Sequence, residues 1–116
     1  MAITSEIIGT LGGAGVEVIP VEGAASGPSG SSEVLATIDV PAGETWLVAV
    51  IGQITASSSG STKWPDLRLG DVKIPRSPSG THGLATTATE SISLSIERNT
   101  PSGADTFTGH VYAVKL

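Results

Sequence analysis

The chain has 116 residues, 39% of them hydrophobic, no cysteine and a formal net charge of −5. That length suits one domain around one core, and the missing thiols exclude disulfides and thiolate metal sites. Eleven acidic residues stand against six basic ones, with no Lys or Arg in the first 62 positions; such a chain repels phosphate backbones, which excludes nucleic-acid binding.

The N-terminal stretch MAITSEIIGTLGGAG has no Lys or Arg ahead of its short apolar patch, and Glu6 interrupts that patch, so it does not read as a secretory signal. Nothing in the chain approaches the ~20 consecutive apolar residues of a membrane span. The expectation is a soluble protein made in a cytoplasm. A weak strand falls at about residues 3–9, and residues 1–15 as a whole read as an N-terminal arm or edge strand preceding a β-sandwich domain over 16–116. Ile3, Ile7, Ile8 and Leu11 are too interrupted by glycine to seal a core face, which makes them candidate partner-binding residues. GTLGGAG (9–15) lacks the GxGxxG order and a following helix, so it is a turn and not a phosphate cradle.

From residue 16 the apolar residues recur with period two, the signature of half-buried strands. GVEVIPVE predicts a strand over 16–21, placed at an edge or a break by Pro20. EVLATIDV predicts one over 33–40, with Val34, Ala36, Ile38 and Val40 on one face. TWLVAVIGQI, within a strand over 45–56, is apolar on both faces until Gln53. It predicts a central strand covered on both sides, or one whose outer face meets another subunit, with a bend or bulge at Gly52.

Trp64 closes the loop ASSSGSTK, where a sugar ring or a partner could stack on it; the alternative is a lid folded on the core edge. In DLRLGDVKI (66–74) the apolar parity changes at Gly70, and a bulge there is favoured over a tight hairpin. SISLSIE alternates strictly inside a strand over 86–97, and TFTGHVYAVKL closes the chain over 106–116. Val34, Ile38, Val48, Val50, Leu94 and Ile96 are the expected shared core.

No ten-residue segment carries a helical stripe. The fold class is therefore all-β, a single-domain antiparallel β-sandwich of jelly-roll-like kind. With four aromatics in all, Trp46, Trp64, Phe107 and Tyr112, the core is thin, which favours stabilisation by partner subunits. Pro-Ser-Gly occurs at 28–30, 78–80 and 101–103; Pro at the second position of a β-turn followed by a permissive Gly makes these turns, not a repeat. The strand order above puts the first and third at one end of the sandwich and the second at the other.

Chemistry is sparse. His82 reads as a solvated loop residue and His110 as a strand residue facing water or a neighbouring subunit, with neither HExxH nor a GxSxG elbow present. Asp39, Asp66 and Asp71 could offer oxygens to Ca²⁺, but no spaced acidic loop exists, and isolated Asp near turns caps them. No catalytic residue, metal or cofactor is assigned, and the protein reads as a non-enzyme.

VPAGETWLVAVIGQI and TFTGHVYAVKL resemble the small β-sandwich virion proteins of tailed bacteriophages, particularly capsid decoration (cement) proteins. The pattern covers roughly residues 33–116 and carries over no functional residue. The resemblance implies a non-enzymatic protein on the outer surface of the virion's capsid, often a homotrimer, that binds the major capsid protein and copies of itself and stabilises the head. Similar strings occur in tail-fibre and lectin-like domains, so a carbohydrate-binding or host-adhesion module is the alternative.

Overall fold

A computed structural model describes residues 16–55, 65–99 and 104–116. Among them there are eight strands and no helix: β1 (Val16–Ser26), β2 (Ser32–Ile38), β3 (Trp46–Thr55), β4 (Asp66–Leu69), β5 (Val72–Lys73), β6 (Thr81–Ala88), β7 (Ile92–Glu97) and β8 (Ala104–Lys115). They form two four-stranded antiparallel sheets, ordered β1-β8-β3-β6 and β2-β7-β4-β5. Pairing the first strand with the last, the second with the seventh and so on inward, alternately in one sheet and the other, is jelly-roll topology.

The core lies between the sheets because alternation sends one side of each strand inward. Trp46, Val48, Val50 and Ile54 of β3 meet Leu94 and Ile96 of β7, Leu67 and Leu69 of β4, and Phe107, Val111 and Ala113 of β8, all buried. Of the six expected core residues, five are buried and Val34 is 44% exposed. The register of β2 against β7 shifts between Val34 and Ala36, so Leu35 is the extra residue of a β-bulge and takes the buried place. Leucine is larger than valine, and the bulge brings the larger side chain out of water.

Two glycine expectations are overturned. Gly70 does not bulge. It begins a two-residue turn joining β4 to β5, with Leu69 opposite Val72 and Gly70 at φ +61° as the one positive-φ residue of the turn, the signs of a type II′ hairpin. Ile74 N–H donates to Leu67 C=O at 2.7 Å, so Leu67, Leu69, Val72 and Ile74 share one face of the hairpin, and the change of parity is what a two-residue turn produces. Gly52 lies in unbroken register, opposite His82 on β6 and Gly109 on β8. A Cβ on Gly52 would run into the Phe107 ring, and one on Gly109 would run into the backbone of Ile51 and Gly52 and come within 2.7 Å of the ring; the glycine pair lets the two strands and the buried ring approach.

The strand expected over 86–97 is two strands, β6 and β7, separated by residues 89–91. This and the β4–β5 hairpin alter the strand count, and the Pro-Ser-Gly expectation falls with it. The β1–β2 and β5–β6 connections, which hold Pro28 and Pro78, lie at the same end of the sandwich. Pro101 falls outside the described residues. Within the β1–β2 connection Ser31 N–H donates to Pro28 C=O with Gly30 at φ +97°, a type II turn in which Pro is the first residue. In 77–81 the tripeptide is a three-residue hairpin loop: Gly80 N–H donates to Ser77 C=O, Ser77 N–H to Thr81 C=O, and Gly80 has φ +92°. One tripeptide thus serves two different backbones.

Candidate functional site

Two surfaces of the sandwich are chemically unusual. The first is the outer face of the β1-β8-β3-β6 sheet. Register aligns Val18, Tyr112, Ala49 and Ala85 in one row across the four strands, and Pro20, His110, Ile51 and Gly83 in the next. Val114 and Leu47 lie side by side on the other flank. Val18 is 52% and Ile51 48% exposed, and Leu47 and Tyr112 are exposed too. No Asp, Glu, Lys or Arg stands in these rows; Glu22, one row further, is the first. His110 and Tyr112 hold their rings 6.1 Å apart. A depression of about 380 Å³ opens over Gly109, bounded by Pro20, Glu22, Thr108 and His110.

The outer face of the second sheet is the opposite case. Thr37 and Ser93 oppose one another there, their hydroxyls 3.2 Å apart, and Ser95 opposes Arg68, which opposes Lys73. Asp66 accepts from Lys73 at 3.0 Å and faces Arg68 at 3.8 Å. One sheet is wetted as the alternation in SISLSIE expects. The other keeps an apolar outer face, as TWLVAVIGQI allows.

The second surface is a cleft of about 790 Å³ at the end of the sandwich that carries the β1–β2 and β5–β6 connections, lined by Pro65, Asp66, Lys73, Arg76, His82 and Asn99 among others. His82 contradicts its expected place in a solvated loop. It stands on β6 in inward phase with Ala88, 2% exposed, with Gly52 opposite it in β3 and a bridge to Arg76 on its other side. Burial lowers its proton affinity below the ordinary histidine value, the Arg76 charge lowers it further, and a hydrogen bond to the Gly80 backbone opposes both. Its Nδ1 is buried without a hydrogen-bond partner. The sequence signal for this placement is the phase His82, Leu84, Thr86, Ala88, which is faint because two of the four are polar.

Beside the cleft, Arg98 and Asp105 form a buried ion pair with Nη1 to Oδ2 at 3.6 Å, both side chains fully enclosed. Arg98 continues the inward phase of Ile92, Leu94 and Ile96, and Asp105 that of Phe107 and Val111, so extending the alternation past the strand ends finds both. Arg98 also binds the β1–β2 connection through its backbone, accepting from Gly30 N–H and donating to Ser31 C=O, each at 2.8 Å.

Ile3, Ile7, Ile8, Leu11 and Trp64, the candidate partner-binding residues, lie outside the described residues, as does the division at residue 15. Asp66 and Asp71 do not converge: Asp66 is ion-paired near the cleft and Asp71 sits in the β4–β5 turn at the opposite end. Among the described residues no group of three His, Asp or Glu could hold a metal ion, and no helix is long and apolar enough to cross a membrane. No protein-family model matches the chain, and no curated protein matches its sequence.

Proposed function

We propose that the chain is a non-enzymatic virion structural protein, a capsid decoration or cement protein that stabilises a phage head as an oligomer, with the trimer favoured. The observation that carries this reading is the charge-free apolar face of the β1-β8-β3-β6 sheet. From strand spacings of ~4.8 Å and a rise of ~3.3 Å per residue its rows cover on the order of 400 Å², within the ~300–600 Å² of the largest apolar patch on a typical monomer, a patch that is often functional. A standard interface takes ~800 Å² from each partner, so the patch acts as the dry centre of a larger contact with a polar rim.

The occupant of that centre is a second copy of the chain. Copies with a net charge of −5 repel one another, and this face lets them approach without setting like charges opposite each other. The depression over Gly109 then receives a neighbour's side chain. The major capsid protein is engaged from the resulting ring, on the outside of the shell, and residues 1–15 are the proposed arm that reaches it.

The test is sedimentation of the wild type, of Ile51→Glu and of a chain lacking residues 2–12, each alone and with undecorated heads. The expected result is an oligomeric wild type that binds heads, an Ile51→Glu variant shifted to monomer, and a truncated chain that is folded but binds heads less. A wild type that stays monomeric at tens of micromolar (about the Kd range of weak transient contacts) and does not bind heads overturns the reading. The alternative, a carbohydrate-binding or adhesion module, finds its support in the end cleft.

A further inference from the structure

We propose that the edge of the β1-β8-β3-β6 sheet formed by β6 is a docking site for a second copy of the chain, which adds its own β6 antiparallel across a two-fold axis. A free strand edge offers unpaired main-chain donors and acceptors, and proteins blunt such edges with Pro, charge, bulges or shortness. The other edge strands of this sandwich are blunted. β1 carries Pro20 between Glu17 and Glu22, β2 carries Glu33 and the bulge at Leu35, and β5 is 2 residues long and holds Lys73. β6, with the sequence THGLATTA, has no Pro, Asp, Glu, Lys or Arg, and its register against β3 is unbroken from Thr81 to Ala88.

The chain covers the start of this edge itself. Ser77 N–H donates to Thr81 C=O at 2.7 Å and Gly83 N–H to Pro75 C=O at 3.2 Å, so residues 75–77 lie along the beginning of β6. These bonds also fix the phase: Thr81 and Gly83, and with them Ala85 and Thr87, point their main-chain groups away from β3. Ala85 and Thr87 are exposed, and among the described residues no backbone group bonds them on that side. The open stretch is residues 84–88, centred on Thr86.

An antiparallel mate that fills this stretch puts Thr86 opposite Thr86 of the second copy, and Ala85 opposite Thr87 of the second copy on either side of the axis. Each pair of Ala85 with Thr87 exchanges two main-chain bonds, about four in all, and the facing threonines form a favourable cross-strand pair. Charge selects the occupant. Copies with a net charge of −5 repel one another, and β6 against β6 sets no charged side chain of either strand opposite another. β1 or β2 as the added strand would bring glutamates together with a proline or a bulge that breaks the ladder. The pairing also joins the apolar row of Val18, Tyr112, Ala49 and Ala85 to the same row of the second copy. So short a contact is below the ~1,200 Å² of stable interfaces and belongs to the weak, transient class. Its use, linking one oligomer to the next, rests on the function proposed above, whereas the pairing itself does not.

The chain has no cysteine, so a single introduced thiol reports on its own position. Thr86→Cys and Ala85→Cys are each made in the full chain with Ile51→Glu, which removes the face contact, then oxidised mildly and run on non-reducing gels. Across the two-fold axis a thiol at position 86 meets its mate at a Cα separation of ~4.5 Å, within disulfide reach, whereas one at position 85 lies a diagonal step of ~7–8 Å from its own. Thr86 is half-buried and Ala85 exposed, so random collision gives the opposite order. The expected result is a disulfide dimer for Thr86→Cys and a monomer for Ala85→Cys. Adding Thr87→Pro, which removes an outward N–H and no bond to β3, should bring the Thr86→Cys dimer down to the Ala85→Cys level. Ala85→Lys, which sets like charges beside the axis, does the same where a thermal melt shows the proline variant unfolded. Ala85→Cys cross-linking as fast as Thr86→Cys overturns the proposal, as does the absence of a Thr86→Cys dimer or a dimer that withstands the second change. The sedimentation of Ile51→Glu without a thiol is independent of all three, so edge pairing and face contact stand or fall separately.

Discussion

At the residue scale, two side chains depend on neighbours that are distant in sequence. Phe107 is fully buried because the facing glycines of β3 and β8 leave its ring room. Gly52→Ala would drive a Cβ into the Phe107 ring, and overpacking of this kind costs about 1–3 kcal/mol. Chemical denaturation should show that loss, and pairing the change with Phe107→Leu should recover part of it, because the two sites share one space. His82 sets a pH dependence. Its proton affinity in the folded state lies below that of an unfolded histidine, near pH 6.5, so the unfolded chain binds the extra proton first as the pH falls. The stability contributed by the neutral buried ring is complete above that pH and declines as the pH drops toward the lowered value. Thermal melts between pH 7 and 5 should show a decline that is shallower in His82→Gln.

At the scale of the elements, β2 and the β4–β5 hairpin show how packing selects among backbones that the alternation permits. In β2 a bulge exchanges Val34 for Leu35 as the core residue. Leu35→Ala should therefore cost about 2–5 kcal/mol, and Val34→Ser should change stability by no more than about 0.5 kcal/mol. A larger loss at Val34 than at Leu35 in urea unfolding would mean that the strand keeps simple alternation. In the hairpin, the type II′ turn at Gly70 keeps all four apolar residues on one face, and Val72 remains 48% exposed because β5 is at the sheet edge.

At the scale of the molecule, the ion pair of Arg98 and Asp105 joins the two sheets, since Arg98 follows β7 of one and Asp105 belongs to β8 of the other. It also anchors the Pro28 connection through the Arg98 backbone. Removing Asp105 takes the ion-pair partner from a fully buried guanidinium: Asp105→Ala is expected to cost about 3–5 kcal/mol. Replacing both, as Arg98→Met with Asp105→Leu, should cost much less, and thermal unfolding of the single and double variants tests this.

Period-two alternation in SISLSIE, TWLVAVIGQI and TFTGHVYAVKL is enough by itself to determine an all-β antiparallel sandwich, because side-chain direction in a strand is a local property of the backbone. It also determines which face of β3, β7 and β8 turns inward, and it leaves TWLVAVIGQI with an apolar second face. What alternation cannot decide is where a strand breaks or bulges, since a bulge and a hairpin at Gly70 both return Leu67, Leu69, Val72 and Ile74 to one side. Only pairing with β7 selects the hairpin, and only the space between the sheets selects Leu35 over Val34. The same holds for His82. Its weak phase becomes burial only when Gly52 and Arg76 flank it, and the cleft it lines forms from segments that meet only after both sheets close.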